Sequence, residues 1–210
     1  LQYPYKHLRL YEFYTFLIYV TPVGSYFKSG LKSLNTIVTD KYHRVATKSI
    51  GFAKAVGNYA GTLLPYKEIV DKGYDEIIFL NASNENIIDE ARSANIFVLK
   101  GTVLKTPVLQ GSILPGITRD SVIKVASKIF NLDVREEDVS LDELMNADEV
   151  FFTGTAAVIA PVGKIVYKNI EIRFKISFEE SMTRKIRERL IDIQYENIED
   201  PFGWVIPLGK

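Results

Sequence analysis

The fold is decided by the stretch Leu114-Pro115-Gly116-Ile117-Thr118-Arg119-Asp120, in which a tight turn leads directly into a helix start. Thr118 is predicted to cap the helix, and Asp120 falls in the first turn, where the helix dipole favours a negative charge. Asn131 is predicted to close the helix. Apolar residues recur on one of its faces: Val122, Ile123, Ala126, Ile129 and Phe130. Free N–H groups at such a start suit a phosphate, although a plain capped turn explains the same pattern.

Short runs rich in β-formers lie on both sides of this stretch, bounded by Gly, Pro or Asn. They predict strands at Glu76–Leu80, Asn95–Leu99, Thr102–Lys105, Val150–Thr153 and Ala157–Ala160. Because these strands alternate with helical patterns, the expected class is α+β, or mixed α/β.

Three further helix starts are predicted. Asn58 is expected to cap a helix that Pro65 kinks and Gly73 stops, with its buried face formed by Ala60, Leu63, Leu64 and Val70. Ser140 and Ser177 each stand three residues before a glutamate, the spacing of a capping box. The second box is expected to open a helix that buries Met182, Ile186, Leu190 and Ile193.

The N-terminal part, up to Ser49, lacks the alternation of strand and helix patterns found in the rest of the chain. The apolar run Phe13–Val20 has eight residues, far fewer than the roughly 20 of a membrane-spanning helix, and is interpreted as a strand. The polar segment Ser25–Ser49 has little periodicity and is interpreted as a linker or crossover. No secretory signal pattern is found, so cytoplasm or an organelle matrix is expected, the latter if a transit peptide has been removed.

Composition excludes several kinds of function. The 26 basic and 26 acidic side chains cancel, so bulk electrostatic binding to nucleic acid or to an anionic membrane is not expected. The chain has no cysteine and only two histidines, His7 and His43, which argues against thiol chemistry and a multi-histidine metal centre.

Three places could carry chemistry. Lys54 lies among apolar neighbours, and a desolvated amine is the type of nucleophile that forms a Schiff base with a carbonyl, although a lysine that reaches out to solvent is the commoner case. Glu90 precedes a predicted strand, and most glutamates in such a position are solvated surface charges. The small residues Thr153–Ala157 could bring backbone donors to a ligand or simply form a loop corner.

Together these segments resemble the pyridoxal-phosphate-dependent class IV aminotransferases of fold type IV, most closely the branched-chain amino acid aminotransferases. The resemblance runs from about Thr21 to Trp204. It rests on six ordered blocks: Ala53–Ala60, Gly73–Asp75, Glu90–Phe97, Ser112–Asp120, Ala147–Val150 and Thr153–Pro161. It implies a cofactor-binding large domain at residues 50–210, with sheets that form a pseudo-barrel surrounded by helices. It further implies an interdomain linker at residues 25–49, and at residues 1–24 the last strand of a small domain that is mostly missing.

The resemblance also implies roles for individual residues. In the pattern Lys-x-x-Gly-Asn-Tyr, Lys54 would form the Schiff base to pyridoxal 5'-phosphate, and Tyr59 would bond the phenolic oxygen of the cofactor. Glu90 would pair with the pyridine nitrogen, and Leu114 would pack on the ring. The phosphate would lie at Gly116, Ile117, Thr118, Gly154 and Thr155, and the substrate carboxylate at Thr155 and Ala156. Arg92 stands where the family has a small residue, and its cation would either change the charge of the site or point outward.

The implied activity is ping-pong transamination of leucine, isoleucine and valine with 2-oxoglutarate in a homodimer, without nucleic acid or membrane partners. Two alternatives stay open at this point. One is a non-catalytic chain of the same fold. The other is a D-amino acid aminotransferase or an aminodeoxychorismate lyase.

Overall fold

Nine strands form one mixed sheet in the computed structural model, which describes residues 13–22 and 32–206. They are β1 (Leu34–Thr39), β2 (Glu76–Asn81), β3 (Asn84–Ala91), β4 (Asn95–Lys100), β5 (Val103–Thr106), β6 (Asp133–Glu136), β7 (Glu149–Gly154), β8 (Val158–Tyr167) and β9 (Ile170–Arg173). Their order is β3-β2-β1-β8-β7-β4-β5-β6, with β9 paired to β8. The sheet curls into a half-barrel.

The sheet is parallel at its centre, where β1 lies between β2 and β8. It is antiparallel where β7 pairs with both β8 and β4. As a result, the end of β7 and the start of β4 lie side by side, with Thr153 opposite Asn95. This junction positions one wall of the site.

Five helices pack on the sheet: α1 (Val56–Ala60), α2 (Leu63–Val70), α3 (Ile117–Lys128), α4 (Leu141–Met145) and α5 (Met182–Gln194). One face of the sheet and α4 enclose one apolar cluster, which includes Ile78, Ile96 and Phe152. The opposite face packs against α3 and α5 through Phe97, Phe151 and their neighbours, and these two rings stack with centroids 5.1 Å apart. A smaller cluster lies under α2. The turn that precedes α3 is therefore fixed by a helix packed along its whole length.

The five strands predicted between Glu76 and Ala160 are confirmed to within a residue or two, except that β8 is much longer than predicted. The prediction that Ser25–Ser49 is only a linker or crossover is wrong in one respect. The structure describes this segment from residue 32 onward, and β1 lies inside it as a central strand. Strand β3 was also not predicted, since its first half is polar and exposed. The division into domains stays a prediction.

The helix predictions need three corrections. Asn58 does not cap a helix but lies buried within α1, and a second helix begins at Leu63. The predicted buried face is wrong, because all four of its residues are exposed: Ala60, Leu63, Leu64 and Val70. Gly116, not Thr118, is the N-cap of α3. The Ser140–Glu143 capping box forms as predicted.

The remaining correction concerns Ser177, which opens only a short 3₁₀ turn. Ser181 caps α5 instead. The buried face predicted for α5 is confirmed, since Ile186, Leu190 and Ile193 are fully enclosed.

The predicted strand Phe13–Val20 is not a strand in the structure, and its large apolar side chains are exposed. An extended segment becomes a strand only when a neighbour satisfies its backbone, and no described residue pairs with this one. His7 lies outside the described residues. Within the described part of the chain, no helix is long and apolar enough to cross a membrane.

Candidate active site

A cavity of about 240 Å³ opens at the edge where β3, β4 and β7 meet the turn before α3. The sequence-predicted residues that line it are Lys54, Tyr59, Glu90, Leu114, Gly116, Ile117, Thr118, Gly154 and Thr155. Ala156 lines an adjoining cavity, which shares Lys54 and Thr155 with the first. The fold therefore brings together residues that are spread over about a hundred positions of sequence.

Glu90 forms the closed end of the cavity. Its side chain is only 3% exposed; Oε1 accepts a hydrogen bond from the Leu114 backbone N–H at 3.1 Å and forms an ion pair with the Arg44 guanidinium at 2.5 Å. Oε2 accepts from Asn95 Nδ2 at 3.1 Å. Burial raises the pKa of Glu90 to about 8, and the nearby Arg44 opposes that rise. The expectation of a solvated surface charge is therefore wrong for Glu90.

Lys54 lies at the open side of the cavity, in the loop before α1. Buried Asn58 anchors this loop, because its side-chain amide donates to the carbonyl oxygens of Ile50 at 2.8 Å and Ala53 at 2.9 Å. The expected burial of Lys54 is wrong in this structure. Its side chain is exposed, as are those of Phe52 and Val56 beside it, since no described element covers the loop.

The turn before α3 forms a third wall. Gly116 caps α3 with extended backbone and offers no side-chain hydrogen bond to the helix, so the first N–H groups of α3 stay available to a ligand. A Cβ at Gly116 would collide with Asn95 Oδ1, which makes glycine necessary here for steric reasons and not because of its backbone angles. The first turn of a twelve-residue helix is a suitable place for an anion.

Two site residues were missed by sequence reasoning. Arg44 lay in the predicted linker, and its partner Glu90 is 46 positions away, so no local pattern indicated the pair. Asn95 was assigned only to a strand, yet it joins Glu90 to the turn by donating to the Leu114 carbonyl oxygen at 2.8 Å. The presence of an amide at a strand start, among apolar residues, was the one available signal.

Arg92 also lines the cavity, but its guanidinium lies against other groups. Its central carbon is 3.9 Å from the centroid of the Tyr66 ring, and Nε is 3.7 Å from a carboxylate oxygen of Glu76. These contacts direct the cation toward α2 and the start of β2.

The family comparison agrees with this geometry. A model of the amino-transferase class IV family matches residues 7–165. The chain belongs to the class IV aminotransferase family. A relative in this family is branched-chain-amino-acid aminotransferase 2, chloroplastic, of Arabidopsis thaliana, which is 43% identical over 196 residues, covering 93% of this chain and 50% of the relative. The chain spans about half the length of the curated relatives it matches.

Solved structures of class IV aminotransferases confirm the fold. The branched-chain amino acid aminotransferase of Escherichia coli superposes with a TM-score of 0.74 at 35% identity, covering 88% of this chain and 59% of that one. The branched-chain enzyme of Thermobaculum terrenum, described as the PLP-form, superposes at 0.71 with 28% identity, covering 80% and 53%. The predicted fold class is therefore confirmed.

The residues present fit pyridoxal phosphate, the cofactor that this family implies. The cavity supplies an amine for the aldehyde, a buried carboxyl for the pyridine nitrogen and helix N–H groups for the phosphate. Three buried polar atoms of the lining residues have no hydrogen-bond partner among the described residues, namely Arg44 Nε, Arg92 Nε and Thr153 Oγ1. Buried polar atoms are rarely left in that state, so a polar ligand in the cavity would satisfy such atoms.

Proposed function

We propose that this chain is the cofactor-binding part of a branched-chain aminotransferase, which moves the amino group of leucine, isoleucine or valine to 2-oxoglutarate in two half-reactions. One observation carries the proposal: Lys54, Glu90 and the start of α3 line the same cavity. The names of the Arabidopsis and bacterial relatives support the choice of branched-chain substrates.

Pyridoxal phosphate, when bound, supplies an electron sink for the bonding electrons released at the substrate Cα. Lys54 Nζ binds the cofactor covalently and, once released, moves a proton to and from the substrate Cα. Its position at the open side of the cavity, on a loop anchored by Asn58, leaves room for an incoming amino acid.

The other residues orient the cofactor and stabilise the charges on it. Glu90 faces the pyridine nitrogen and keeps a proton there, and Tyr59 donates to the phenolic oxygen. The N–H groups of Ile117 and Thr118 bind the phosphate together with Gly116, Gly154 and Thr155, while Leu114 packs on the ring. The backbone of Thr155 and Ala156 receives the substrate carboxylate. These assignments follow the family pattern and the shared cavity walls.

A homodimer in the cytoplasm or an organelle matrix is part of the proposal. The Arabidopsis relative is named chloroplastic, which agrees with the organelle alternative.

The test is a substrate panel on the intact protein loaded with pyridoxal phosphate. L-leucine, L-isoleucine and L-valine should each yield the 2-oxo acid with 2-oxoglutarate as acceptor, and the two half-reactions should be separable, as in ping-pong kinetics. Activity on D-alanine or aminodeoxychorismate alone would contradict the substrate assignment. Absence of any turnover in a protein that binds the cofactor would favour the non-catalytic alternative.

A further inference from the structure

Arg44 is a buried cation with no role in the proposal so far. Its side chain is 2% exposed and forms an ion pair with Glu90 Oε1 at 2.5 Å. The same guanidinium nitrogen donates to the carbonyl oxygens of Ser112 at 2.5 Å and Gly51 at 3.2 Å. Arg44 therefore ties the loop before Lys54, the strand end at Glu90 and the segment before the α3 turn to one another.

A buried carboxylate keeps its charge only if a partner compensates for lost hydration. Among the described residues, the ion-pair partner of Glu90 is Arg44. The other charged groups near Glu90 are Asp89 on β3, which disfavours its charge, and Arg119 on α3, which favours it weakly. Lys54 and Arg92 line the same cavity. Even with Arg44 in place, burial raises the pKa of Glu90 to about 8 in the cofactor-free cavity, so Glu90 ionises at neutral pH only when a second cation, such as a protonated ring nitrogen, lies beside it. Removal of Arg44 would leave Glu90 beside the like charge of Asp89 in an apolar enclosure and would favour the neutral acid further.

We propose that Arg44 is a positioning residue for the cofactor: it holds the Glu90 carboxylate ionised and aimed at the pyridine nitrogen, so that the proton they share stays on that nitrogen. The inference rests on the proposed pyridoxal phosphate site. Its step is a proton transfer only. With Arg44 present, the proton is on the ring nitrogen and Glu90 is anionic, whereas without Arg44 the proton is on Glu90 and the nitrogen is neutral.

The chain offers a matched control in Arg119, a second buried arginine. Its side chain is 4% exposed, and it pairs with Glu136 at 2.9 Å and donates to the Pro107 carbonyl oxygen at 2.9 Å. Loss of either guanidinium removes a buried cation and its hydrogen bonds to backbone, but only Arg44 contacts Glu90.

The experiment loads the intact protein with pyridoxal phosphate labelled with ¹⁵N at the ring nitrogen and reads its chemical shift at neutral pH. Wild type and Arg119→Gln should show a protonated nitrogen, and Arg44→Gln should show an unprotonated one. Glutamine removes the charge and keeps a polar amide, although its side chain is shorter than that of arginine. Cofactor affinity should fall about ten- to hundredfold in Arg44→Gln, because the hydrogen bond between Glu90 and the ring nitrogen would no longer join charged groups.

The outcomes separate the two proposals. Failure of wild type to bind the cofactor overturns the proposed function. Binding with an unprotonated nitrogen in wild type overturns the role of Arg44 even if Arg44→Gln does not fold. A protonated nitrogen in Arg44→Gln, or an equal change in Arg119→Gln, overturns it as well, since the ion pair would then have no specific effect.

Discussion

Substitution of Gly116 by alanine tests how tightly the site is built. The added Cβ would collide with Asn95 Oδ1, so the Asn95 side chain must move. That movement breaks its hydrogen bonds to the Leu114 carbonyl at 2.8 Å and to Glu90 at 3.1 Å. Because the raised pKa keeps Glu90 largely protonated at neutral pH, both bonds join neutral groups. Each contributes roughly 0.5–1.5 kcal/mol, so the free energy of unfolding should fall by about 1–3 kcal/mol.

The assay is urea denaturation of the cofactor-free protein, followed by fluorescence of its single tryptophan, Trp204, which packs beside the α3–α5 cluster. The matched control is Gly61→Ala, because Gly61 has ordinary helical backbone angles and nothing within 4 Å of an added Cβ. That control should leave stability unchanged or raise it by up to about 1 kcal/mol.

A double variant identifies the cause of the loss. In an Asn95→Ala background there is no amide to displace, so Gly116→Ala should cost less than about 1 kcal/mol, the remainder being the poorer helix-capping of alanine. If Gly116→Ala is neutral in the wild-type background, or costs the same in both backgrounds, the steric argument is refuted.

Two further predictions concern the pH dependence of stability and the Lys54 loop. Because burial raises the pKa of Glu90 to about 8 in the folded protein, against 4.5 as its ordinary value, the folded state retains a proton that the unfolded state releases, and stability falls as pH rises between these values. Between pH 5.5 and 7.5, the free energy of unfolding measured by urea denaturation should therefore fall with pH more steeply for wild type than for Glu90→Gln, by up to about 1.4 kcal/mol per pH unit. Parallel curves for the two proteins would disprove the raised pKa of Glu90. Asn58→Ala removes two hydrogen bonds to the loop carbonyls, so limited proteolysis should cut residues 50–55 faster than in wild type. The control is Asn146→Ala, which removes an exposed amide far along the chain and should leave the cleavage rate unchanged. Equal cleavage of Asn58→Ala and wild type would show that Asn58 does not hold the loop.

The sequence predicted the parts of the fold that local patterns determine. The run Glu76–Leu80 contains three residues typical of strands, Ile77, Ile78 and Phe79, and is buried, and Ser140 and Glu143 satisfy each other within one turn. Both elements therefore form where expected. Strand β1 was missed because its residues alternate weakly and its place at the centre of the sheet depends on β2 and β8, which lie far along the chain.

The residues of the candidate site likewise fall into those that local motifs indicate and those that depend on distant partners. Lys54, Glu90 and the α3 turn could be named from their motifs, and the structure places them around one cavity. Arg44 could not be named, because a buried charge makes sense only beside its partner. The apolar neighbours of Lys54 left both burial and exposure open, since burial is decided by which elements cover a loop.

The most direct test of the central claim is covalent trapping of the cofactor. The intact protein is incubated with pyridoxal phosphate, reduced with borohydride and digested, and the modified peptide is identified by mass spectrometry. One modified residue, Lys54, is expected, and the modification should be lost in Lys54→Ala. Modification at another lysine, or labelling that persists in Lys54→Ala, would contradict it.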